Sequence, residues 1–192
     1  MRRLVVGVTG ASGAAYAARL LGYLHAHREQ LEVEPHLVFT KIGRVVWNEE
    51  VRTDPTDLDF PIYAPGDMTA PFASGSARFE SMVVLPCSAG SLARIAHGMS
   101  TDLVGRAADV MLKERRKLVL VLRESPFSLP MLRNMVAATE AGAVVMPASP
   151  SFYSGPSDMD ALLDTVIARV LDQLRIDNDL MERWTGLRRG GR

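Results

Sequence analysis

With 192 residues, 47% of them hydrophobic, the chain is long enough for one domain with a sizeable core and too short to need a second. Its 22 acidic residues balance 22 basic ones, which excludes a global electrostatic pull toward nucleic acid or an anionic membrane. The single cysteine, Cys87, excludes an internal disulfide or a cysteine-pair metal site and favours a reducing, cytoplasmic setting, and no apolar run approaches the length that spans a bilayer.

Residues 4–8 (LVVGV) read as a buried strand that stops at a turn containing Gly10 and Gly13. An alanine-rich helix follows, with Thr9 and Ser12 available to cap it. Strand, glycine turn and helix N-terminus bring unpaired N–H groups and the positive end of a helix dipole together, so a phosphate is expected at this turn. The order G-x-x-G-x-x-G departs from the dinucleotide fingerprint, although TGASG-like turns also occur in nicotinamide-dependent epimerases and reductases. A tight turn that binds nothing is the alternative.

A second strand is predicted over 33–39 (VEPHLVF), with Pro35 suited to a strand start or an edge. A helix over 42–51 follows, drawing apolar contacts from Val45, Val46 and Trp47. Residues 52–76 hold four prolines and read as a long loop or a pair of short excursions, functional or part of an interface. A third strand at 82–85 runs into CSAGS, a second small-residue turn before a helix. An amphipathic helix over 101–116 carries Arg106 and Lys113 on a shared face. The continuous apolar run 118–122 predicts a central strand covered on both sides, leading into Arg123 and Glu124. A helix over 129–141, a fifth strand at 143–146, and a last helix capped by Ser157 or Asp158 complete the domain, assigned to 1–187. Residues 188–192 (RRGGR) read as a flexible tail.

Strands alternating with helices predict an α/β fold, a three-layer αβα Rossmann or flavodoxin-like domain with a mostly parallel sheet. Every strand of such a sheet ends at one edge, where ligands bind. That edge collects the 10–13 turn, Thr40 and Lys41, the 87–91 turn, Arg123 and Glu124, and the 149–153 loop. Hydroxyls, cations and one carboxylate suit a phosphorylated ligand; singly, each is an ordinary polar loop residue. Glu124, leaving the most apolar strand, is expected to be partly desolvated and is either a proton donor to a leaving phosphate oxygen or half of a salt bridge. Cys87 has no histidine partner in the sequence and reads as a buried thiol. His25, His27, His36 and His97 form no metal-ligand spacing, and no metal site is expected.

Several stretches together resemble the UbiX family of flavin prenyltransferases, formerly described as aromatic-acid decarboxylases. They are VGVTGASGAAYAARLL, DMTAPFASGS from Asp67, VVLPCSAGSLARIAHG, DLVGRAADVMLKERRKLVLVLRESPFSLPMLRNM, and GAVVMPASPSFYSGP. The resemblance implies transfer of a dimethylallyl group from dimethylallyl monophosphate to reduced FMN, without a metal, to make a prenylated flavin for a UbiD-type decarboxylase. It implies FMN contacts at Gly10, Ala11, Ser12, Thr40, Ser88, Ala89, Gly90, Ser91 and Arg123. Lys113, Glu124, Tyr153 and Arg169, with Arg106 close by, are implied around the prenyl phosphate. Ser12 and Glu50 are implied in the later flavin chemistry, and a homo-oligomer, typically a dodecamer with sites between subunits, is implied as the assembly. Met68 stands where some members have tryptophan, and Thr40 where serine is common. Two rival readings are an FMN-binding aromatic-acid decarboxylase and a non-catalytic flavin carrier. A nicotinamide reductase is disfavoured, because no Tyr-x-x-x-Lys pair exists and the second strand ends in Thr40-Lys41.

Overall fold

The computed structural model describes residues 1–183. In chain order the elements are β1 (Arg2–Val8), α1 (Ala14–Ala26), α2 (Arg28–Leu31), β2 (Val33–Phe39), α3 (Lys41–Glu50), β3 (Ile62–Tyr63), β4 (Ser81–Cys87), α4 (Ala89–Ala96), α5 (Leu103–Lys113), β5 (Lys117–Leu122), α6 (Leu129–Glu140), β6 (Val144–Pro147) and α7 (Met159–Leu174). The strands form one sheet in the order β3-β2-β1-β4-β5-β6, and every pairing is parallel. Succession runs one way from β1 and the other way from β4, so the switch point lies where these two strands end.

Alternation along the strands builds two cores. Leu4, Val6 and Val8 of β1 pack with Val119 and Val121 of β5 against α1 and α7, through Leu20, Leu21, Val170 and Leu171. Val5, Leu118, Leu120 and Leu122 face the other way, into a core closed by Leu103, Ala107 and Met111 of α5. Side chains two apart share a face of the sheet, so an unbroken apolar strand needs cover on both sides, and the helices supply it. This is the expected three-layer αβα arrangement.

Two details depart from the sequence reading. The sheet has six strands instead of five, because two residues of the 52–76 stretch, Ile62 and Tyr63, pair with Leu37 and Val38. That pairing leaves Pro35 beyond the reach of β3, on a part of β2 with a neighbour on one side only. Val45 points outward from α3 and is 55% exposed, and Trp47 is the side chain that anchors that helix, with its indole N–H donating to the Thr53 carbonyl at 2.8 Å. The expected tail at 188–192 lies outside the described residues.

His36 on β2 is buried among Tyr63, Phe72 and Phe79, with its Nδ1 3.0 Å from the Tyr63 hydroxyl and its Nε2 3.6 Å from a Glu34 oxygen. Burial pushes its pKa below the ordinary histidine value; the Glu34 charge opposes that shift and the Arg3 charge adds to it. A group kept neutral in the folded chain contributes stability that is present above its ordinary pKa and lost as pH falls through that value and below. Thermal melting from about pH 7 to about pH 5 is therefore expected to show a larger loss of Tm for the wild type than for His36→Phe. Parallel curves would remove this role.

Candidate active site

The first turn is built around an internal anion. Gly13 takes a φ of 108°, which a side chain would strain, and the Glu50 carboxylate at the end of α3 accepts the N–H groups of Gly13 and Ala14, each at 2.8 Å. The Ser12 hydroxyl donates to the same carboxylate. Neither Thr9 nor Ser12 caps α1, as the sequence reading had it, and the N–H groups expected to hold a phosphate hold Glu50 instead. Thr9 ties the two turns together: its hydroxyl donates to the Pro86 carbonyl at 2.7 Å and accepts the Ser88 N–H at 2.8 Å. Burial alone would raise the Glu50 carboxyl. Hydrogen bonds from Ser12, Gly13 and Ala14, helped by the Arg123 charge, outweigh burial and hold it below its ordinary range.

The second turn carries the hydroxyls that line a cleft. Ser88 caps α4 by accepting the Ser91 N–H, and its hydroxyl donates to the Ser91 hydroxyl at 3.1 Å. Thr40 caps α3 in the same way at Gly43. Gly43 allows this closeness, since a Cβ there would sit 2.3 Å from the Val8 carbonyl oxygen. Between the two helix starts lies a cleft of about 630 Å³ whose walls include Gly10, Thr40, Lys41, Ser88, Ser91 and Arg94. Its size is that of a cofactor site, and its donors suit a phosphate. The donor set therefore fits FMN. At the end of β5, the Arg123 N–H donates to the Cys87 carbonyl, and its side chain passes close to Gly13. The structure thus brings Ser12, Glu50 and Arg123 together beside the cleft.

The other expected residues lie elsewhere on the chain. Tyr153 and Arg169 line a second cleft of about 410 Å³ against α7, where Arg169 pairs with Asp172 at 2.6 Å. Glu124 is exposed in the single chain, contrary to the expected partial desolvation, and accepts the Ser125 N–H at 3.0 Å. Arg106 donates to the Ala73 carbonyl and pairs with Asp109, and Lys113 pairs with Glu114. Because α5 runs back along the sheet, it carries Lys113 to the edge where β5 begins, away from Tyr153. One chain alone therefore does not gather Lys113, Tyr153 and Arg169. Cys87 is fully buried, and burial pushes its thiol up to about 12, which leaves it inert as a nucleophile. Among the described residues no group of histidine, cysteine and carboxylate side chains has metal-binding geometry, and no helix is long and apolar enough to cross a membrane.

Arg94 was missed by the sequence reading, although a cation three residues after Ser91 on a helix shares its face. Tyr16 was missed as well; its ring lies beside Gly13, and its hydroxyl pKa is raised by burial against the opposing Arg123 charge.

Comparison with known proteins gives the same fold. The family model described as Flavoprotein matches residues 1–171. The flavin prenyltransferase UbiX of Deinococcus radiodurans is 48% identical over 185 residues, covering 95% of this chain and 93% of that one. The mitochondrial flavin prenyltransferase PAD1 of Saccharomyces cerevisiae is 41% identical over 190 residues, covering 97% and 77%. Among solved structures, AnUbiX in complex with FMN and dimethylallyl pyrophosphate superposes with a TM-score of 0.90 at 43% identity, covering 97% of this chain and 99% of that one. A dodecameric FMN-dependent UbiX-like decarboxylase from Escherichia coli gives 0.89 at 42% identity, covering 96% and 100%. By sequence over nearly its whole length, and by the superposition of its fold on solved UbiX structures, the chain belongs to the Flavoprotein family and, within it, to the UbiX flavin prenyltransferases.

Proposed function

We propose that this chain transfers a dimethylallyl group from dimethylallyl monophosphate to N5 and C6 of reduced FMN, and that the prenylated flavin passes to a UbiD-type decarboxylase. The observation that carries the reading is the cleft between the starts of α3 and α4, with the Ser12, Glu50 and Arg123 cluster at its side. When bound, reduced FMN supplies the electron-rich ring positions that accept the prenyl group. The protein's own part is positioning and charge. The hydroxyls of Thr40, Ser88 and Ser91 and the N–H groups at the start of α4 hold a phosphate and thereby fix the ring beyond it. Tyr153 and Arg169 of one copy, with Lys113 and Arg106 of another, supply donors and positive charge to the departing prenyl phosphate, which makes a metal unnecessary for that role. Glu124 delivers a proton to the departing phosphate oxygen, and Glu50 accepts one through Ser12.

Several copies are needed, and the surface supports this. Leu129, Leu132 and Val136, spaced along one face of α6, are 58%, 45% and 57% exposed, with Phe127 just before them at 44%. An apolar stripe of this kind is costly to leave in water and suits an interface between copies. We propose a homo-oligomer, a dodecamer as in the E. coli relative, in a cytoplasmic setting where Cys87 stays a thiol.

The test is incubation of the protein with reduced FMN and dimethylallyl monophosphate in the presence of a chelator, followed by mass spectrometry of the flavin. Prenylated flavin is the expected product. Unmodified FMN, together with carbon dioxide release from a hydroxybenzoate, would instead favour the decarboxylase reading.

A further inference from the structure

We propose that Arg94 grips the flavin phosphate and makes this site selective for the phosphorylated flavin over riboflavin. This rests on the reading of the cleft as the FMN site. Residue 94 lies in the last turn of α4, an eight-residue helix, where a cation is ordinarily favoured by the carbonyls at the helix C-terminus. Its guanidinium goes the other way. Nη2 donates to the Ser91 hydroxyl at 3.1 Å, and Nη1 lies 3.7 Å from the point a Cβ on residue 90 would occupy. Helical side chains lean toward the N-terminus, and a four-bond stem reaches back one turn, so the geometry is unstrained. The guanidinium thus lies against the first turn of α4, at ordinary contact distance from where a Cβ on residue 90 would be.

The placement is electrostatically unfavourable for the chain by itself. A full positive charge sits over the positive end of a helix dipole, with the Lys41 ammonium lining the same cleft. Among the described residues no carboxylate pairs with Arg94. Asp102, the acid in the cleft wall, has one oxygen committed to the Gly105 N–H as the cap of α5. What satisfies this arrangement is an anion from outside, bound between the guanidinium and the hydroxyls of Ser88 and Ser91. A phosphate monoester fits: it carries up to two charges and offers three oxygens to a planar guanidinium that donates in pairs. An uncharged ribityl hydroxyl offers neither.

The experiment is titration of the full-length protein with oxidised FMN and, separately, with riboflavin, following quenching of flavin fluorescence. Arg94→Ala and Arg94→Gln are expected to weaken FMN binding about 10- to 100-fold, leave riboflavin binding within about twofold, and flatten the salt dependence of FMN binding. Arg94→Lys keeps the charge without the paired geometry and is expected to fall between. Arg94→Gln retains a side chain able to bond Ser91, so a loss of FMN affinity shared by both neutral variants at unchanged Tm assigns the effect to charge. FMN affinity unchanged in both neutral variants, or an equal loss for FMN and riboflavin, would overturn the assignment while leaving the FMN site in place. A wild-type protein that takes up neither flavin would overturn the reading of the cleft itself.

Discussion

Glu124→Gln is expected to slow prenyl transfer about 100- to 10,000-fold while the variant still binds FMN as the wild type does. The amide has the shape of the carboxyl and can form hydrogen bonds, but it cannot give up a proton to a departing phosphate oxygen. Among the described residues the Glu124 carboxylate is engaged only by the Ser125 N–H, so the substitution leaves the end of β5 and the neighbouring Arg123 intact. The side chain is exposed in the single chain, and surface substitutions of this kind ordinarily change stability by less than about 0.5 kcal/mol. A large loss of rate with unchanged melting would therefore report chemistry. Single-turnover mass spectrometry beside an FMN titration makes the measurement, and a wild-type rate in the variant would remove Glu124 from the acid role.

Glu50→Ala has two expected effects, because one carboxylate does two things. It removes the acceptor shared by Gly13 and Ala14 at the start of α1, a capping loss of about 1 kcal/mol in stability. It also removes the acceptor for the Ser12 hydroxyl, and prenyl transfer is expected to fall about 100-fold or more. The stability effect has a defined pH dependence. The Glu50 carboxyl is held below its ordinary range, so its contribution is complete above that range and is lost as pH falls through it to the lower native value. The Tm gap between wild type and Glu50→Ala is expected to be constant near neutrality and to close below about pH 4. A gap that persists in acid would show that something other than the ionised carboxylate stabilises the turn.

The strand ends were legible in the sequence because burial on both faces leaves runs such as LVLVL with no other stable environment, and because hydroxyl and glycine turns follow them. β3 was not legible: two residues carry no periodicity, and Ile62 and Tyr63 pair only because α3 and the prolines after it return the chain to β2. The role of Glu50 at the first turn was hidden for a similar reason. A glycine turn opening a helix announces an anion, and only the fold tells whether that anion is a ligand or a carboxylate from 37 residues further on. Arg94 has the opposite history. Its position suggests a cation serving the end of α4, and the direction of its side chain, read from the Ser91 contact, places it at the beginning. Lys113 shows where sequence adjacency misleads: it lies ten residues before Arg123, yet α5 and β5 run in opposite directions and leave the two at different edges of the sheet.

The most direct test is the structure of the assembled protein crystallised with FMN and dimethylallyl monophosphate. The account requires the flavin phosphate between Thr40, Ser88, Ser91 and Arg94, and the prenyl phosphate held by Tyr153 and Arg169 of one copy and Lys113 of another. Flavin bound away from the ends of β1 and β4, or Tyr153 and Arg169 facing bulk solvent in the complete assembly, would contradict it.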